Sequence, residues 1–222
     1  MKKIDYDKIF SISDPVSNRA FRGSIVDDSK AKPEISRAES KIDDFVPIYH
    51  FMGEANPKDV IWTANAHPLI FSETLINLLI QNNLTGWDTY PVEVYDKNKN
   101  LVKSNYYGFI ITGRASFVDY TRSKIVIKKL GNKETPHIRG RYFYNDQWDG
   151  TDFFMEDADQ ENRFNMFRYC TERVYMLLKK YKIKNIYFEN VIQSDIWYYT
   201  IENGASPRLK NILNKMLIKA SN

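Results

Sequence analysis

Ser72-Glu73-Thr74-Leu75-Ile76-Asn77-Leu78-Leu79, followed by Leu84, Gly86 and an extended run from Trp87 to Val94, has a second copy in the chain. It begins at Thr171-Glu172-Arg173-Val174-Tyr175-Met176-Leu177-Leu178, with Ile183 and Asn185 in the places of Leu84 and Gly86, and no insertion separates the two. A small hydroxyl residue followed by Glu caps the exposed amides of a helix start and suits its positive end. Leu75, Leu78 and Leu79, and then Val174, Leu177 and Leu178, recur at helical spacing and predict one buried face in each copy. Gly86 and Asn185 tolerate a left-handed turn out of the helix. The repeat predicts two related helix-turn-strand units. Neither copy carries a nucleophile, a metal cluster or a phosphate loop, so the repeat specifies architecture and leaves function open.

Outward from the repeat, the patterns are mostly of strands. Val60 to Thr63 is a β-prone run before the first copy. Trp87 to Tyr95 and Leu101 to Thr112, separated by the polar connector 96–100, predict an antiparallel hairpin. Pro91 would demote its first strand to an edge or mark a bulge. Ile125-Val126-Ile127 and Gly140 to Tyr144 predict two short strands, and Ile186-Tyr187-Phe188 another. Ser206-Pro207 is a cap and first-turn pair for a terminal helix with Leu209, Ile212, Leu213, Met216 and Leu217 on its apolar face. The fold class expected is α+β: a mainly antiparallel or mixed sheet, two related helix-turn-strand units and a C-terminal helix, in a single domain over 1–222. Residues 1–54, polar and interrupted by Pro15, Pro33 and Pro47, read as an irregular N-terminal arm with at most one short strand in 42–49.

The lone cysteine, Cys170, excludes an internal disulfide and a multi-cysteine zinc site, and reads as a small apolar residue ahead of the second helix. No run approaches the roughly 20 apolar residues that span a bilayer, so no membrane association and a cytoplasmic location are expected. A formal charge of +4 is weak evidence for nucleic acid. The charge is polarised, however: 122–141 is basic, and 149–161 is acidic.

Three features have chemical potential. His50, His67 and His137 lack metal-ligand spacing, so no metal and no cofactor is expected. Trp148-Asp149-Gly150-Thr151-Asp152-Phe153-Phe154 is the densest polar and aromatic cluster. Asp149, Asp152 and Glu156 there can serve a cation or acid–base work, or face water from a turn that anchors Trp148 and Phe153. The basic stretch, with Tyr120, Tyr142 and Tyr144, can contact a nucleic-acid backbone and stack bases, but carries no recognised binding signature.

Pro68-Leu69-Ile70-Phe71-Ser72-Glu73, then Leu84-Thr85-Gly86, Pro91-Val92-Glu93, Tyr106-Tyr107, Phe117-Val118-Asp119 and Ser123, come in an order that resembles immunity proteins of bacterial polymorphic toxin systems. The groups it is similar to are immunity protein families eleven and forty-three. Their second half ends in an acidic and aromatic turn, as at Trp148 to Phe154, then a helix such as Thr171 to Lys182 and a strand such as Asn185 to Glu189. The resemblance covers about Val60 to Val191. It implies a cytoplasmic, non-catalytic protein that neutralises a cognate toxin by direct binding, and it carries over no catalytic residue. Such a role needs a preformed surface with complementary charge and aromatic anchors. Trp148, Asp152, Glu156, Asp157 and Asp159 are the expected partner-binding residues, suited to a basic toxin. The alternatives are a metal-dependent hydrolase or nuclease using the acidic loop 149–161, and a nucleic-acid-binding module using 122–141.

Overall fold

The computed structural model describes residues 4–15, 19–25, 46–64, 69–157 and 167–221. In chain order these form β1 (Ile9–Ser13), β2 (Arg22–Ser24), β3 (Val46–Met52), β4 (Val60–Thr63), β5 (Leu69–Ser72), α1 (Glu73–Gln81), β6 (Trp87–Tyr95) and β7 (Tyr106–Ile111). There follow β8 (Gly113–Ala115), β9 (Lys124–Leu130), β10 (Lys133–Arg139), β11 (Phe153–Glu156), β12 (Arg168–Thr171), α2 (Glu172–Lys180) and β13 (Tyr187–Asn190). The chain ends with β14 (Asp195–Trp197), α3 (Tyr198–Gly204) and α4 (Pro207–Ser221). Six strands close a barrel in the order β2-β3-β6-β7-β5-β4, five form a sheet ordered β13-β1-β12-β11-β8, and three form a sheet ordered β14-β10-β9. The fold is α+β.

The two copies of the repeat end alike, bond for bond, but start differently: Ser72 caps its helix and Thr171 does not. Ser72 Oγ accepts from the Leu75 amide at 3.2 Å, as a helix cap should. Both helices then end in a Schellman turn. The amides of Leu84 and Ile183 reach back to the carbonyls of Leu79 and Leu178, and those of Asn83 and Lys182 to Ile80 and Lys179. Asn83 and Lys182 have φ of 50° and 54°, so the left-handed exit comes three residues earlier than Gly86 and Asn185, which take a second positive φ of 87° and 61°.

The likeness extends beyond the stretch where sequence repeats. In the β4–β5 hairpin Val60 lies opposite Phe71 and Trp62 opposite Leu69; in the β11–β12 hairpin Phe153 lies opposite Cys170 and Met155 opposite Arg168. β2 runs parallel to β4 as β8 runs parallel to β11. The fourth member of each unit comes from a different part of the chain. β7 pairs with β5 from Ser72↔Tyr106, and the N-terminal strand β1 pairs with β12 from Thr171↔Ile9; each is flanked in turn by β6 or β13. The start of the chain therefore completes the second unit. Where an irregular arm was expected, the described residues of 1–54 supply a central strand and two barrel strands; the short strand expected in 42–49 is the start of β3 at 46–49, and 42–45 lie outside the described residues.

The units differ in how they close. β3 bridges β2 and β6 to seal the barrel, with Val46, Ile48, Ile61, Ile70 and Val92 inside. β3 meets β6 only from Val92 onward, so Pro91 occupies a position where no donor is needed on that side. In the second unit the equivalent of β3 is a single bridge, Ala115↔Trp148. Phe154 and Tyr169, which hold the places of Ile61 and Ile70, are covered instead by Ile138, Ile196, Tyr198, Leu209 and Leu213 from β10, β14, α3 and α4. The strand expected at 140–144 is displaced to β10, and the chain leaves the sheet at Gly140.

Between the units lies a shared core, with Phe71, Leu75, Leu79 and Phe109 from one and Phe153, Cys170, Val174 and Leu178 from the other. Truncating one such side chain costs about 2–5 kcal/mol. Polar pins flank the core on both sides. Asn185 Nδ2 donates to the Val60 carbonyl at 2.8 Å, and Trp62 Nε1 to the Asn185 carbonyl at 2.7 Å. On the opposite side the amides of Asp152 and Phe153 both donate to the Thr85 carbonyl, and a Cβ at Gly86 would overlap the Phe153 carbonyl.

Candidate interaction surface

The expected acidic site is divided by the fold. Phe153 to Glu156, read from the sequence as loop, is strand β11 in the interior of a sheet. Asp152 is 3% exposed and Glu156 is 3% exposed, so neither presents its carboxylate to a partner, and their assignment as contact residues is corrected. Asp157 is exposed, whereas Trp148 is half-buried with its ring against Phe154 and its Nε1 enclosed without an acceptor among the described residues. Asp159 lies outside the described residues.

Asp152 has a structural task. Its carboxylate accepts from the Thr85 amide at 3.0 Å, from Thr85 Oγ1 at 3.2 Å, from Thr171 Oγ1 at 2.9 Å and from Arg173 Nη1 at 3.0 and 3.1 Å. Thr85 belongs to the first unit and Thr171 to the second, so this one residue ties the two together. Thr171 spends its hydroxyl there and makes no cap bond, unlike Ser72. Asp149 folds back on its own turn, accepting from the Thr151 amide and hydroxyl and from the Arg114 amide. Asp152 and Glu156 stand four residues apart on an extended segment, about 13 Å, too far to share one cation.

Glu156 faces the other core. Burial pushes its carboxyl up to about 7, against weaker opposing effects from Tyr169 and Arg141. Among the described residues, both of its oxygens, the Tyr169 hydroxyl and Arg141 Nη1 have no hydrogen-bond partner. Arg141 spends Nε and Nη2 on Ser194 Oγ, and its guanidinium lies over the rings of Phe167 and Tyr169. The cluster is interior and offers nothing to a macromolecule.

The basic stretch is better placed. β9, β10 and β14 form a sheet with one face toward α4, where Ile125, Ile138 and Ile196 meet Leu209 and Leu213. By strand alternation and register the other face carries the row Val126–His137–Trp197 and the flanking row Lys124–Arg139–Asp195, with Lys128 opposite Thr135. Asp195 accepts from Arg139 Nε and Nη2 at 2.8 Å each and from Lys128 Nζ at 2.8 Å. These cations, Arg139 first, hold its carboxyl down to about 2. Trp197 is 53% exposed. His137 is 9% exposed; its Nε2 meets Thr135 Oγ1 at 3.3 Å, and burial, aided by Lys128, moves its pKa below the ordinary value. Among the expected stacking tyrosines, Tyr120 is buried, Tyr142 packs against Tyr6 and Arg122, and Tyr144 lies on Phe117. Sequence reading passed over Trp197 and Asp195, although the alternation Asp195-Ile196-Trp197 facing Thr135, His137 and Arg139 was the available signal.

An open polar notch of about 580 Å³ beside the start of α1 is lined by Asp59 and Glu73 and by Lys58, Lys103, Lys182 and Lys184, so cations outnumber carboxylates in it. Among the described residues no group of three or more His, Cys, Asp or Glu side chains is arranged to hold a metal, and no helix is long and apolar enough to cross a membrane. The chain matches no protein-family model, and no curated protein is similar to it.

Proposed function

We propose that the protein is an immunity-type binder that neutralises a cognate bacterial toxin by direct, non-catalytic contact. The observation that supports this reading is the outer face of β9–β10–β14: an exposed Trp197 beside Arg139 and Lys128, which are both hydrogen-bonded to the Asp195 carboxylate. Aromatic and arginine side chains held in place are the anchors that protein interfaces use, because little side-chain entropy is lost on binding. The groups on which an acid-loop enzyme would depend are committed elsewhere: Asp152 joins the two units and Glu156 is interior.

Coexpression with the product of the adjacent open reading frame tests the role. Rescue of growth when that product is toxic, together with a stoichiometric complex, is the expected outcome. A toxic product that the protein neither binds nor relieves overturns it.

A further inference from the structure

We propose that the partner docks on the outer face of the β9–β10–β14 sheet, and that its matching surface is an acidic protein surface with an apolar recess for Trp197. The inference rests on the binding role proposed above and adds the location and the chemistry of the partner.

Charge carries the first part. The β9–β10 hairpin holds Lys124, Lys128, Lys129, Lys133 and Arg139 against a single carboxylate, Glu134. Asp195 answers Lys128 and Arg139 at the centre, with Glu189 within electrostatic reach of the same cations, so the excess positive charge of the face lies on the exposed Lys124 and Lys133. A surface of one sign attracts its complement and raises association rates, an effect that salt screens.

The choice of a protein over a nucleic acid follows from what stands at the centre. Lys128 and Arg139 already hold a carboxylate, and a phosphate arriving there would meet Asp195. The central row is Val126–His137–Trp197, so the face presents one aromatic ring and not the succession of rings on which single strands stack. One large ring flanked by aliphatic and charged groups suits insertion into a recess. The ring is well founded: Tyr198, next in the chain, is 2% exposed and donates its hydroxyl to Asn214 Oδ1 at 2.8 Å.

The test measures affinity of the full chain for the product of the adjacent open reading frame at about 50 and about 300 mM salt. Trp197→Ala should weaken binding by about tenfold or more, chiefly through faster dissociation. The pair Lys124→Glu and Lys133→Glu should slow association several-fold and flatten its salt dependence. Phe51→Ala, an exposed ring on the barrel strand β3, should bind as wild type. If Trp197→Ala lowers the melting temperature, the lysine pair, exposed at both positions, carries the test alone. Wild-type binding that survives both surface changes overturns the docking face and leaves the binding role standing. No wild-type binding overturns both. Retention on oligo-dT that the lysine substitutions abolish, with no protein complex, replaces the acidic protein with a nucleic acid.

Discussion

Glu156 is a carboxyl group placed where its charged form is poorly solvated. With a folded-state value raised from 4.5 to about 7, it keeps its proton in the fold after the unfolded chain has lost it. The unfolded state then binds fewer protons, so this group's contribution is intact below pH 4.5 and is lost as pH rises to about 7, beyond which the loss is constant. Glu156→Gln, which cannot ionise, should therefore gain on the wild type by about 3 kcal/mol between those limits, read from denaturant unfolding at several pH values. A difference that stays flat with pH would place the ionisation elsewhere. Lys182 illustrates a different local cost. It is exposed and holds a left-handed φ of 54° at the end of α2, a conformation that disfavours a Cβ. Lys182→Gly should raise stability by about 0.5–1 kcal/mol, visible as a higher urea midpoint with an unchanged slope.

At the scale of elements, the two helix-turn-strand units are held in register by a few pins whose effect exceeds their number. Asp152 accepts bonds from both units, and Asp152→Ala leaves the Thr85 amide and the Thr171 hydroxyl without their acceptor. The expected loss is about 2–3 kcal/mol, most of it from those two groups, since Arg173 is 61% exposed and its ion pair is screened. Arg173→Ala should accordingly cost well under half as much, which paired unfolding curves would decide. The helices, their inward leucines and their strands were legible in the sequence because amphipathic spacing and caps are local signals. The match of β4 with β11, β2 with β8 and β7 with β1 was not. Val60-Ile61-Trp62 and Phe153-Phe154-Met155 share burial but no residue types, and β1 reaches its unit from the opposite end of the chain. Asp152 and Glu156 misled for a related reason: periodicity does not reveal whether a carboxylate on a short apolar run faces water or a second unit.

For the whole molecule, the second unit depends on the first residues of the chain. β1 lies between β12 and β13, and its Ile9 and Ile12 enter two different cores. Deleting residues 4–13 should therefore abolish cooperative thermal unfolding of the entire chain, because a central strand and the shared core are lost together; a truncated protein that melts in one sharp step would show the N-terminal strand to be dispensable. Under the proposed binding role, structure and recognition are separated as well. Asp152, just before β11, holds the units together, while the basic sheet beyond it presents Trp197 outward. Hydrogen exchange of the full chain, alone and with the product of the adjacent open reading frame, tests that separation most directly. Slower exchange in β9, β10 and β14 on adding that product, with 148–157 unchanged, is the predicted result. Protection centred on 148–157, or no change anywhere, would contradict the account.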